Sequence, residues 1–215
     1  MGLQLFSSMR NLKNLDYFAI VNIALFIAIT VFVYYDRFIE YRGPANLHEF
    51  YLYAIVMIFF VCLCWWYFRR FNAPAYLLVL LQIAILLHFS GAFFPIEGGR
   101  LYDAVFFGIG FDKYVHFINS FIVATTFNEI FHAMNVKIPV FRNIVIVLMT
   151  LGIGAFAEII EYLVMLTVPD TGVGGYHNNM RDLIANFLGS MLFLLFMLTE
   201  FYQTNRHTDY SPSAS

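Results

Sequence analysis

Three short polar motifs interrupt an otherwise apolar chain: Asp112-Lys113-Tyr114-Val115-His116, Glu158-Ile159-Ile160-Glu161, and Arg181-Asp182-Leu183-Ile184-Ala185-Asn186. His88 stands alone upstream of them. These residue types do metal and proton chemistry. His88, His116, Glu158, Glu161 and Asp182 offer nitrogen and oxygen ligands. Three protein ligands with an open position suit catalytic zinc, and a carboxylate-dominated set suits magnesium or manganese. No compact signature such as His-Glu-x-x-His is present, so separate segments must supply the ligands. Glu158 or Glu161, where not a ligand, can act as a general base toward bound water. Lys113, Arg100 and Arg181 can hold an anionic phosphate. His177, set among Gly172, Gly174 and Gly175, is read as an ordinary loop histidine or as a lid over the site.

Spacing gives the motifs direction. Asp112 and His116 are four residues apart, Glu158 and Glu161 three, Asp182 and Asn186 four. On helices, each pair shares a face. In lipid such polar stripes must turn inward, because charge against hydrocarbon is costly. Glu158 lies roughly 12 Å inside its helix end at 1.5 Å rise per residue. The four carboxylates Asp112, Glu158, Glu161 and Asp182 outnumber the obligate cations Lys113 and Arg181 by two. Protons, a charged histidine or a divalent cation would relieve that surplus. The competing reading is a structural network that merely holds helices together.

Composition shows which elements must position these residues. The chain is 61% hydrophobic, 20% aromatic and 12% charged, with mean hydropathy +0.73. Soluble domains carry about 25% charged residues, so lipid must solvate most of this surface. A net charge of −2 argues against a nucleic-acid partner. Membrane lipid is the expected partner; no protein partner is legible. Cys62 and Cys64 lie two apart in an apolar run and read as packing residues.

A spanning helix needs about 20 mostly apolar residues. Six stretches qualify: 18–35, 50–67, 75–94, 114–131, 141–166 and 183–202. The expected fold is an all-α, polytopic membrane helix bundle with about six transmembrane helices. It forms one domain over 1–203, followed by a polar, disordered tail at 204–215. Gly43-Pro44, Asn72-Ala73-Pro74, Pro95 with Gly98-Gly99, Pro139, and Pro169 through Gly175 mark the connections. The first apolar run is too long for a cleavable signal, and Phe6 stands where a myristoylation site needs Ser or Thr.

Six spans place both termini on one side. Seven Lys and Arg fall on that side and five on the other, which favours cytoplasmic termini in the plasma membrane. Alternation of helix direction puts His88, Asp112, His116, Glu158, Glu161, Asp182 and Asn186 in one leaflet. Glu129 and His132 fall in the opposite leaflet and read as interfacial. Trp65, Trp66, Arg69 and Arg70 read as an interfacial belt. Gly152, Gly154, Ala155, Gly189 and Ser190 are expected to permit close helix packing.

The ordered motifs Asp112-Lys113-x-x-His116, Glu158-x-x-Glu161-Tyr162 and Arg181-Asp182-Leu183-x-x-Asn186-x-x-Gly189 resemble the YjdF-like and VanZ-like membrane families. His88 before a short loop also resembles the YjdF-like pattern. The resemblance covers roughly 88–195, and Glu161 departs from the Gln usual in the VanZ-like version. It implies a small multi-helix membrane protein whose motif residues form a polar pocket, and it implies no particular reaction. Three functions follow as expectations. The first is an intramembrane enzyme, metal-dependent through Zn, Mg or Mn, acting on a lipid or lipid-linked head group. The second is a non-catalytic binder or carrier of protons, cations or lipid. The third is a structural or accessory membrane protein.

Overall fold

A computed structural model of the chain describes residues 12–96, 99–136, 141–167 and 175–209. Each of the six expected apolar stretches is helical. The first is α1, Asn14–Ile29, which passes through a π-helical segment at Thr30–Tyr34 into α2, Tyr35–Arg42. Gly43 ends it with φ +79°, a conformation glycine adopts without steric cost. Pro44 then opens a short 3₁₀ turn, Pro44–Asn46, leading into α3, Leu47–Phe68. The remaining helices are α4, Ala75–Phe93, α5, Phe111–Ala133, α6, Arg142–Thr167, and α7, Tyr176–Asp209. In hydrocarbon only a helix or a closed barrel satisfies its own backbone, which is why long apolar runs take this form.

Among the described residues, four segments are long and apolar enough to cross a membrane: Asn14–Glu40, Pro44–Phe68, Arg142–Leu163 and Tyr176–Thr199. Helix α4 is apolar but shorter over Ala75–Gly91. Helix α5 has the length, at 23 residues, but carries Asp112, Lys113 and Glu129. The chain is an all-α, polytopic integral membrane protein.

Two boundaries differ from expectation. Helix α7 starts at Tyr176, seven residues before Leu183, because Gly175 O accepts from the amides of Asn178 and Asn179 and closes the first turn. It also runs to Asp209, into the segment expected as a tail; 210–215 lie outside the described residues, as do the turn signals at Gly98, Pro139 and 168–174.

The chain forms two compact units, Met1–Val79 and Leu80–Ser215. In the first, Asp16 is fully buried and ties α1 to the end of α3. It accepts from Arg69 Nε (2.7 Å) and Nη2 (3.1 Å) and from Trp65 Nε1 (2.8 Å). Trp65 and Arg69 thus hold the buried Asp16 carboxylate from the end of α3. Arg70 lies over the Tyr67 ring instead, 4.3 Å from its centroid.

In the second unit, α5, α6 and α7 pack on one another. Ala124, Ile146 and Phe193 form the core, flanked by Phe121, Phe127, Phe131 and Met197. The approach of α7 to α5 depends on Gly189, where a Cβ would stand 2.0 Å from Phe117 O. Outer faces stay apolar and exposed, as at Phe156, Ile160, Ile184 and Leu188, and become the lipid-facing surface. Between α4 and α5 the chain makes two small hairpins. In the first, β1 (Pro95–Ile96) pairs with β2 (Gly99–Arg100); in the second, β3 (Val105–Phe106) pairs with β4 (Ile109–Gly110).

Candidate functional site

Helices α5, α6 and α7 each bring one motif to a common point. Asp112 and Lys113 occupy the first turn of α5, and His116 lies on the next. Lys113 Nζ reaches three oxygens: Asp112 Oδ2 (2.6 Å), Asp182 Oδ1 (2.7 Å) and Asn178 Oδ1 (2.7 Å). Asn178 Nδ2 in turn donates to Asp182 Oδ2 (2.7 Å). The contact with Asp182 is an ion pair that leaves Oδ1 buried without a hydrogen-bond donor among the described residues, and Asp182 as a whole is 1% exposed.

Glu158 on α6 is as deeply buried, at 3% exposure. Its main-chain carbonyl accepts from Asn179 Nδ2 (3.0 Å), which holds α6 against α7. Its carboxylate is another matter. Among the described residues, Oε1 and Oε2 are both buried with no hydrogen-bond partner. His116 Nδ1 stands 3.6 Å from Glu158 Oε1. The other ring nitrogen, Nε2, stands 3.6 Å from Asp182 Oδ1. Neither distance is a hydrogen bond.

One ligand atom each from His116, Glu158 and Asp182 lie within 4.8 Å of one another. Tetrahedral coordination with bonds of about 2.0–2.2 Å separates neighbouring ligand atoms by roughly 3.3–3.6 Å. The trio is looser than that, with its atoms within 4.8 Å of one another, but it has the right donors, one imidazole nitrogen and two carboxylate oxygens. An uncompensated buried carboxylate costs several kcal/mol, on the order of the desolvation of one ion, and a divalent cation would remove that cost.

The other sequence candidates take separate places. Glu161, half-buried one turn beyond Glu158, lies within electrostatic range of His116, Asp182 and Lys113 but outside the converging trio. His88 also lies outside it, and its Nδ1 contacts Tyr102 Oη at 2.6 Å. Asn186 accepts from Ser120 Oγ (2.9 Å) and packs beside Gly154, locking α7 to α5 and α6 below the site. Arg181 is exposed, so Lys113 meets the carboxylates where two cations were expected. Arg100 pairs with Asp103 (3.1 Å) on the connecting loop, and its guanidinium holds the Asp103 carboxyl below the usual range. His177 lies in the first turn of α7 rather than in a loop, exposed, with its ring against Tyr176. Glu129 is 13 residues from His116 on α5, about 20 Å along the axis.

Asn178, Asn179 and Ser120 were not among the sequence candidates. The signal existed for Asn178, which stands four residues before Asp182 and shares its face. Asn178 lies outside the apolar stretch 183–202, in the polar opening of the helix.

Residues 15–202 match a family described as "Predicted membrane protein (DUF2238)". No curated protein and no solved structure matches the chain significantly.

Proposed function

The chain belongs to the DUF2238 family of membrane proteins, and we propose that it is a divalent-metal-dependent intramembrane enzyme acting hydrolytically on a lipid or lipid-linked head group. One observation carries the reading. The Glu158 carboxylate is buried without a donor, and its oxygens face His116 and Asp182 in a trio of metal-ligand donors. His116, Glu158 and Asp182 would hold the ion. A bound divalent ion supplies Lewis acidity and a water acidic enough to ionise near neutral pH. Glu161, one turn along α6, would serve as the proton acceptor beside them. Lys113 and Asn178 fix the Asp182 carboxylate, as outer partners of metal ligands commonly do.

The substrate class follows from position. The trio is built from helix segments at the α5 and α7 starts, beside the exposed Arg181 and His177. An amphipathic substrate could present its anionic head group there while its acyl chains stay in lipid. The YjdF-like and VanZ-like motif order agrees with this pocket, and the Lys and Arg distribution favours a plasma-membrane protein with cytoplasmic termini.

A second reading has its own support. The two ring nitrogens of His116 face different carboxylates at equal distances of 3.6 Å, which is a layout for passing a proton. Proton flux in protein-containing vesicles that persists in excess chelator would favour it.

The deciding experiment is elemental analysis of wild-type protein purified in detergent, followed by chelation and titration with Zn²⁺ and Mn²⁺. About one ion per chain, lost in Glu158→Gln with helix content unchanged, is the expected result. Folded wild-type protein that neither carries nor takes up either ion would falsify the metal assignment.

A further inference from the structure

The connection between α4 and α5 ends in an apolar hairpin that the proposed chemistry does not use. Its sequence, Ala104-Val105-Phe106-Phe107-Gly108-Ile109-Gly110-Phe111, contains no charged or polar side chain. Phe107 and Gly108 form the two-residue turn with φ +52° and +79°. Such a turn favours Asn, Asp or Gly at both positions, and a bulky residue at positive φ is uncommon and strained. Local backbone preference therefore does not explain Phe107. Its side chain is fully exposed, and Val105, Phe106 and Ile109 are exposed beside it.

The hairpin is not loose. Tyr114 Oη donates to Phe106 O (3.0 Å), and Phe111 N donates to Ala104 O (2.9 Å). The Phe106 ring packs edge-on against Phe111, 6.1 Å between centroids. A rigid base thus presents an apolar tip. The charged pair Arg100–Asp103 lies just before it, on the same connection. Ile83 and Leu86 on α4 and Phe94 just after it are exposed apolar side chains, so the segment that leads into this connection is itself apolar on its surface.

We infer that the Val105–Gly110 hairpin is an interfacial anchor whose tip, Phe107, inserts into the lipid head-group and acyl boundary. A Phe ring flanked by Val, Phe and Ile side chains buries its apolar area when it enters that boundary. The anchor would fix the start of α5, and with it Asp112, Lys113 and His116, at a constant depth in one leaflet. The inference stands whether or not the trio binds metal.

The test is a nitroxide label on Phe107→Cys in a Cys62→Ala, Cys64→Ala background, reconstituted in phosphatidylcholine vesicles. A label on Phe187→Cys, on the exposed face of α7, serves as the lipid reference. The label at 107 is expected to collide more with oxygen than with a water-soluble nickel chelate, in the direction of the label at 187. Nickel collisions as frequent as those of free label in buffer would overturn the inference. So would spin–spin broadening that vanishes on dilution with unlabelled chain, because a second copy would then cover the tip. Phe107→Asn gives an independent measurement in otherwise unmodified protein. Asn suits the turn, so a water-facing tip predicts a raised melting temperature in vesicles, and an inserted tip predicts a lowered one.

Discussion

His116 Nδ1 and Glu158 Oε1 stand 3.6 Å apart, on different helices, with no donor satisfying the carboxylate. The separation is too long for a hydrogen bond and suits two ligands of one ion. Lys113 is engaged with Asp112, Asp182 and Asn178 and makes no hydrogen bond to Glu158.

Asn178→Ala should weaken metal binding without abolishing it. Asn178 bridges Lys113 and Asp182 and touches no proposed open position. Loss of such an outer partner typically costs about 10–100-fold in affinity. Zn²⁺ titration of the chelated variant measures this, and an unchanged affinity would remove Asn178 from the site.

Lys113→Met should destabilise the fold by about 3–5 kcal/mol, the usual cost of leaving a buried partner charge unpaired. Asp182 is the partner that suffers, at 1% exposure. Adding Asp182→Asn to Lys113→Met should restore much of the loss. Denaturation in mixed micelles reads both, and equal stability of the single and double variants contradicts the coupling.

Two glycine substitutions should part company. A Cβ at Gly189 meets Phe117 O at 2.0 Å, whereas one at Gly152 meets nothing within 4 Å. Gly189→Ala must push α7 from α5, at a cost of about 1–3 kcal/mol or more for forced overpacking. Gly152→Ala should be neutral or slightly stabilising, since Ala is the better helix former. Thermal melts of the two variants decide it; similar melting temperatures would mean that α5 and α7 do not approach as described.

Asp16→Asn should loosen the first unit and leave the site's chemistry alone. Asp16 is fully buried and accepts from Arg69, Trp65 and the Lys13 amide. Losing the charge partner of Arg69 should lower the stability of the first unit. All three members of the trio belong to the second unit. Metal content per folded chain should therefore match wild type while the melting temperature falls; loss of the ion from folded protein would show that the first unit supports the site.

The fold class was open in the chain itself. Low charge and long apolar runs leave a lipid-solvated helix as the form that satisfies its own backbone, and all six stretches are helical. The pairings Asp112/His116 and Asp182/Asn186 followed from a period of 3.6 residues, a property of any helix. Boundaries were less legible. The start of α7 was set too late because Tyr176 through Arg181 is polar, and hydropathy cannot see a helix that begins before its apolar stretch.

The sequence by itself determined that acidic and imidazole residues recur at helical spacing in three separate apolar segments. It set Glu158 deepest, but it could not rank Lys113 above Arg181, or Asp16 above any other carboxylate, because each choice is between residues of like charge. Only the tertiary structure decided these. The rotation of each helix, set by close approaches such as Gly189 against Phe117, turns Lys113, Glu158 and Asp182 inward and leaves Arg181 exposed. A residue's spacing fixes its companions on one helix, but its partners on the next are fixed by packing between helices, which no local pattern encodes.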